Sequence, residues 1–312
     1  MNIRKKILKY LMKRFSRINY QGGPWRGYKK ARESSSEEEK KQAFLGVAQA
    51  RYEENKLYRI DDMFGLDFKL LLEGKDLLEI GSNQGGASLF YLQNYNLKSI
   101  TGVDISDFKA EVSKLFFEKM GVTCNFHFQR AFAENLPFST ESFDAIIAYD
   151  VFEHVADVLK SLNECYRVLK YGGKAFIAFP SYYHPVGHHL NSVTMAPCIH
   201  WFYSPATLLE IYHDILEENP EHRDRIGQYP RSLKSWEKLY IINGLTLKTF
   251  RKFIEQQPWK NSKFIPLPLG SYGKVTKKYP LLKLLSFIFL VGTKIPVFSE
   301  FCNHRILYVL EK

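Results

Sequence analysis

The sequence predicts an α/β fold: a doubly wound, mostly parallel sheet with helices on both faces and an inserted cap region. Three observations carry this. From Lys75 onward short apolar runs alternate with segments of helical period, an order that gives a parallel sheet covered on both sides. The first run ends in a glycine-rich loop, Glu79-Ile80-Gly81-Ser82-Asn83-Gln84-Gly85-Gly86. The alternation stops at Pro180, where a stretch rich in His, Tyr, Pro and Asn begins.

The elements follow in order. Residues 76–80 read as a buried strand and 87–93 as the helix after the loop. Residues 99–104 form the second strand. Asp107 is expected to cap a helix running to about Met120, where Gly121 stops it. Residues 123–128 alternate as a third strand, and 143–149, centred on Ile146 and Ile147, are a fourth. Residues 155–169 place Val158, Leu159, Leu162, Tyr166 and Leu169 on one helical face; Gly172-Gly173 is expected to end that helix, and 174–179 is the fifth strand. Beyond it, helices are expected at 205–216 and 245–256, and strands at 263–267 and 305–310. The chain thus divides into a basic, amphipathic N-terminal helical segment (1–70), a ligand-binding core (71–180), an inserted cap (181–245) and a closing helix with strands of the same domain (246–312).

Composition narrows the class. The chain has 312 residues, 45% hydrophobic and 25% charged, which is the make-up of a folded protein. Four cysteines lie far apart, without the spacing of a zinc or redox motif, so a reducing compartment is expected. The net charge of +11 is unevenly spread: residues 1–32 hold 11 Lys/Arg and no Asp/Glu, residues 228–312 are net +11, and the middle is mildly acidic. Basic ends are attracted to anionic surfaces, lipid headgroups or nucleic acid. Ile3, Ile7, Leu8, Leu11, Phe15 and Ile18 recur at helical spacing among Lys and Arg; such a helix lies on a membrane or docks on its own domain. No apolar leader follows the basic N-terminus, and the apolar segment 281–292 is shorter than the ~20 residues a span requires. A cytoplasmic location is expected, with peripheral contact at the anionic inner membrane face.

The glycine loop carries the chemistry. It lets backbone approach a ligand, and the following helix offers free N–H groups. In open parallel sheets ligands sit beyond the carboxyl ends of strands. Gly81, Asn83 and Gly86 also approximate a dinucleotide-binding pattern, with Asp104 lying 23 residues after Gly81. Charge separates the two readings. Glu79 at the strand tip would repel a pyrophosphate, whereas a ligand with an ammonium and a sulfonium suits it, and S-adenosyl-L-methionine is such a ligand.

Over about residues 70–180 the chain resembles the class I, Rossmann-like methyltransferase family. Glu79, Gly81, Asn83 and Gly85 fill the places of its first motif, an acid followed by alternate glycines; Asn83 replaces the middle glycine and is the residue that best tolerates a left-handed backbone after Gly. The resemblance implies that this loop and Glu79 hold the methionyl part of the cofactor, and that Asp104, followed by Ile105, accepts hydrogen bonds from both ribose hydroxyls. Phe132-Ala133-Glu134-Asn135-Leu136-Pro137-Phe138 resembles the stretch around the adenine. Phe132 stands where the family usually has an acid, so ring packing by Phe132 and backbone contacts from Ala133 are expected instead. Asp150-Val151-Phe152-Glu153-His154-Val155 matches the end of the fourth strand, and Arg167–Gly173 the turn before the fifth.

Methyl transfer is an in-line displacement at a carbon activated by the sulfonium, and the protein chiefly aligns the groups and excludes water. An oxygen or nitrogen acceptor can also need a general base. His154 is one candidate or else a structural histidine; His188 and His189 belong to a second cluster with His184 and His200, among Tyr182, Tyr183, Trp201, Phe202 and Tyr203. No paired carboxylate accompanies these histidines, so no metal is expected. The expected acceptor is a small molecule or glycan, methylated on oxygen rather than nitrogen. The tail, from Asn243-Gly244-Leu245-Thr246 to the closing strand, resembles bacterial methyltransferases of polysaccharide or natural-product pathways. Two alternatives remain at this level. The net charge allows an RNA methyltransferase, although Tyr149-Asp150-Val151-Phe152 is not the motif used on exocyclic base amines and no RNA-binding module is recognisable. The departures at Asn83 and Phe132 allow a non-catalytic, methyltransferase-like binding subunit.

Overall fold

Alternation along the strands sets the layers. In the computed structural model, which describes residues 2–16, 24–219, 242–270 and 282–312 together with Ser232, seven strands form one sheet in the order β3-β2-β1-β4-β5-β7-β6. They are β1 (Asp76–Ile80), β2 (Ser99–Asp104), β3 (Phe126–Arg130), β4 (Phe143–Tyr149), β5 (Leu169–Phe179), β6 (Asn261–Pro268) and β7 (Asn303–Glu311). The first five pair in parallel, and β7 runs antiparallel between β5 and β6. Successive residues enter opposite layers: Ile147 and Phe176 face one core, Ile146 and Ile177 the other.

The first core is covered by α3 (Glu37–Leu57), α6 (Gly86–Asn94), α7 (Asp107–Lys119) and the short helices α4 (Ile60–Phe64) and α5 (Phe68–Leu72). An aromatic nucleus joins them to the sheet, with Phe68 and Phe176 ring centroids 4.5 Å apart. The second core lies under α8 (Val158–Val168) and α11 (Leu247–Glu255), where Phe179 and Phe250 rings approach to 4.9 Å. A third, separate cluster joins α1 (Ile3–Arg14), α9 (Ile199–Phe202) and α10 (Pro205–Glu217). The remaining helices among the described residues are α2 (Pro24–Glu33), packed on α3, and α12 (Leu282–Thr293) with α13 (Pro296–Cys302), packed together.

The structure refines several expectations. The helix after β2 is capped by Ser106, whose hydroxyl accepts from the Lys109 N–H, so Asp107 is its first residue rather than its cap. The third strand begins three residues later than expected because Asn125 takes a left-handed φ of 65°. Gly172-Gly173 does not end α8; the chain turns extended at Leu169, and Gly172, at φ 73°, lies within the irregular start of β5. The N-terminal helix docks on the cap. Leu8 and Met12 are fully buried there, while Lys5, Lys9 and Lys13 pair with Glu210 and Glu218 of α10 and its C-cap. Of the apolar stripe expected in that helix, Ile18 lies outside the described residues.

Gly86 opens α6 against the backbone of α3. A Cβ there would stand 2.2 Å from the Ala48 carbonyl oxygen and 2.8 Å from Arg51 Cβ. Backbone cannot yield as a side-chain tip does, so Gly86→Ala is expected to destabilise by roughly 1–3 kcal/mol. Chemical denaturation checks this, and an unchanged midpoint would mean that α3 shifts freely.

Candidate active site

The strand order reverses between β1 and β4, and the carboxyl ends of those strands and of β2 converge there, the place where open α/β sheets bind ligands. Ile80 pairs with Val103 on one side and Ala148 on the other. This register brings the loop after Ile80, Asp104 and Asp150 to one level. Gly81 turns the loop with φ 80°, and its N–H and that of Ser82 both donate to the Val103 carbonyl, at 2.8 and 3.0 Å. Asn83 adopts the left-handed conformation, at φ 49°, so the missing glycine leaves the turn intact. Its side-chain amide donates back to the Gly81 carbonyl at 3.1 Å. Gly85, at φ 76°, precedes α6.

Glu79 is buried and accepts a short hydrogen bond from the Ser88 hydroxyl on α6. Burial pushes its carboxyl up to about 7; the Ser88 bond opposes this and nearby Asp104 reinforces it. Asp104, also buried, accepts from the Ser106 N–H at 3.1 Å and from Lys109 Nζ at 3.2 Å; the same ammonium donates to Asn83 Oδ1 at 3.0 Å. Two acids and a glycine turn so placed fit a ligand that brings a cation and hydroxyl donors. Ile105 and Phe132, at the ends of the neighbouring strands β2 and β3, are large apolar side chains left exposed, while Ala133 is buried. Such exposed surface beside a polar cradle suits a flat apolar ring.

On the other side of the reversal stands an acidic and histidine-rich group. Asp150, at φ 54°, is gripped by Arg305 of β7 through two bonds, Nε to Oδ1 at 2.9 Å and Nη2 to Oδ2 at 2.7 Å. Burial alone would raise the Asp150 carboxyl, but the guanidinium outweighs it and holds the group below its ordinary value. Glu153 is buried with neither carboxylate oxygen hydrogen-bonded among the described residues, and burial, reinforced by Asp150, pushes it well above the carboxylate range. His154, half-buried, has Nε2 3.6 Å from Glu153 Oε1, and its ring lies 5.1 Å from that of His189. Burial, with His154 adding to it, pushes His189 down to about 3, so it is neutral at physiological pH. His189 itself is held at φ 54°, and strained backbone of this kind collects at functional sites.

The structure separates the histidines that the sequence groups together. His189 joins His154. His188 is fully buried in the cap, its Nε2 3.0 Å from the Ala196 carbonyl and its Nδ1 accepting from the Leu190 N–H at 3.0 Å. Both ring nitrogens of His188 thus contact backbone groups, and the side chain braces the loop that carries it. His200 likewise contacts the Tyr182 carbonyl at 2.8 Å.

Three residues of the site were not foreseen. Arg305 lies near the start of β7 beside His304, 155 residues from its partner Asp150, and nothing local to it marks that pairing. Lys109 lies one turn into the helix after Asp104. Asn243 donates from its amide to the carbonyls of Phe152 and Val155, both at 2.8 Å, and so clamps the turn that carries Glu153 and His154.

The chain is similar in sequence to known methyltransferases. A methyltransferase-domain profile matches residues 78–177. YcgJ, an uncharacterized methyltransferase of Bacillus subtilis, is 31% identical over 218 residues, covering 65% of this chain and 74% of that protein. A ubiquinone biosynthesis O-methyltransferase of Pseudomonas putida is 30% identical over 115 residues, 36% of this chain and 47% of that protein, so the match spans about half of its length. The YcgJ crystal structure superposes with a TM-score of 0.43 at 20% identity, over 80% of this chain and 98% of that one. Its relationship to YcgJ, on a mostly parallel sheet with a glycine turn after β1, establishes that the chain belongs to the class I S-adenosylmethionine-dependent methyltransferase family, whose methyl donor is S-adenosyl-L-methionine.

Proposed function

We propose that this methyltransferase acts on an oxygen of a small-molecule or glycan acceptor, with His154 as general base. The observation that carries the reading is the pairing of His154 with His189 across the strand reversal from Glu79 and Asp104. Glu79 and the turn Gly81–Asn83–Gly85 would hold the amino-acid end of the donor, Asp104 its ribose, and Ile105, Phe132 and the Ala133 backbone its base. When bound, the donor supplies an electrophilic methyl carbon. His154 would take the proton of the acceptor hydroxyl as the methyl group passes from the donor's sulfur to the oxygen. Asp150, fixed by Arg305, orients the turn between the two halves. The cap, with Tyr212 buried and Tyr182 and Tyr203 partly buried, would keep water from the reacting atoms.

The acceptor half is tested with His154→Ala. Turnover is expected to fall about a hundredfold, while affinity for S-adenosylhomocysteine stays unchanged; His188→Gln should reduce stability instead. Full turnover by His154→Ala with a hydroxyl acceptor would remove the base assignment.

The donor half predicts a pH dependence. The Glu79 carboxyl of the free protein titrates near 7, and an ammonium beside it would lower that value, so binding releases a proton. Affinity for S-adenosylhomocysteine should therefore rise with pH, by up to about tenfold per unit below 7, and level off above it. Calorimetry from pH 6 to 8 checks the slope, and Glu79→Gln should flatten it. A slope equal in both proteins would place the ammonium elsewhere.

A further inference from the structure

Two surfaces compete for the membrane contact that the basic ends suggest. The N-terminal helix leaves Ile3, Ile7, Tyr10 and Phe15 exposed, but it buries Leu8 and Met12, and its Lys5, Lys9 and Lys13 are already paired with carboxylates of α10 and its C-cap. The pair α12 and α13 is different. Phe287 is 65% exposed, Ile288 64% and Val291 48%, and their spacing places them on one face of α12; Ile295, at 43%, and Phe298, at 53%, extend the patch into α13. Monomeric surfaces seldom leave so many large apolar side chains together in water.

Charge indicates what covers them. From Gln256 to Ser299 the chain holds seven lysines and neither Asp nor Glu, and Lys294, directly after α12, is exposed. A second copy meeting this face about a two-fold axis would set like charges against like. An apolar stripe in a segment whose charges up to Ser299 are all lysines matches an anionic bilayer, with Phe, Ile and Val in the acyl boundary and ammonium groups at the phosphates. None of the helices among the described residues is long and apolar enough to cross a membrane, so the contact is interfacial.

We propose that the exposed face of α12 and α13 docks on an anionic lipid bilayer and brings a lipid-borne acceptor to the site. The geometry continues from one to the other. Beyond Phe298, the Phe301 ring lies 5.0 Å from Trp201 and 5.3 Å from Tyr183, both partly exposed. The Ser181 hydroxyl donates to Glu300 at 3.3 Å, and the His184 ring lies 5.7 Å from that of His304, next to Arg305 and its partner Asp150. An acceptor with an apolar tail and a hydroxylated head would thus lie along aromatic surface from the bilayer to His154. The acceptor's place rests on the oxygen-methylation reading above; the docking surface does not.

The test is co-sedimentation of the full chain with phosphatidylcholine vesicles, with and without phosphatidylglycerol. The wild type is expected to bind the anionic vesicles and to release at high salt. The double variant Phe287→Ser, Ile288→Ser should bind at least about tenfold more weakly, and Lys294→Gln about fivefold more weakly. An unchanged affinity for S-adenosylhomocysteine certifies the fold of each. No binding by the wild type, or equal binding by the double variant, would overturn the proposal. So would a concentration-dependent dimer that the same substitutions dissolve, since the face would then belong to a second copy. Vesicle binding needs no methyl transfer, so its failure leaves the acceptor chemistry standing, and a wrong acceptor atom leaves vesicle binding unaffected.

Discussion

Asp104→Ala is expected to lower affinity for S-adenosylhomocysteine by about a hundred- to a thousandfold. Asp104 ends a parallel strand beside the glycine turn, buried, with its carboxylate held by one backbone N–H and one ammonium. Hydrogen bonds to a charged acceptor contribute about 1.5–3 kcal/mol each, and a ribose diol would make two. The protein should survive the change, because Lys109 keeps its bond to Asn83 and is partly in water. Calorimetric titration of the folded variant reads the loss directly. Binding within a fewfold of wild type would move the ribose away from Asp104.

Arg305→Leu should be costly in a different way. The guanidinium holds Asp150 through two bonds across 155 residues of chain. The pair is only partly shielded, with 19% of the Arg305 side chain and 33% of that of Asp150 exposed. The expected loss is therefore near the low end for a broken buried pair, about 3 kcal/mol. Turnover should fall too, since the turn bearing Glu153 and His154 follows Asp150. Combining Arg305→Leu with Asp150→Asn should recover part of the stability, because the uncompensated charge is gone. Denaturation of the single and double variants measures this coupling, and strictly additive losses would show that the two residues act independently.

The legible parts of this molecule are those governed by short-range rules. The bounds of β1, β2 and β4 follow from the pattern because strands buried on both faces are continuous apolar runs. The edge strand β3 has weaker patterning, and the left-handed Asn125 moves its start. Gly172-Gly173 reads as a helix stop, yet it serves a bulge in β5, a tertiary requirement that composition does not encode. Glu79 and Asp104 are candidates that the sequence itself offers, because each sits at or next to a strand's carboxyl end. His188 and His189 are adjacent in sequence, but one is held by cap backbone and the other faces His154. Arg305 and Asn243 reach the site from far along the chain, and no local pattern foretells such partners.

The placement of β7 between β5 and β6 has a consequence for how the molecule assembles. Residues 303–311 supply hydrogen bonds to a neighbour on each side, so one flank of the sheet cannot zip until they arrive. A growing chain that already has β1 to β5 would show an unpaired edge along β5 and an Asp150 without its counter-ion. Such pairings, distant in sequence, slow folding and prolong exposure of sticky intermediates. Refolding should accordingly show the turn after β4, which carries Asp150, ordering last, in step with β7, and a nascent chain stalled before residue 303 should depend on chaperones more than the finished protein does.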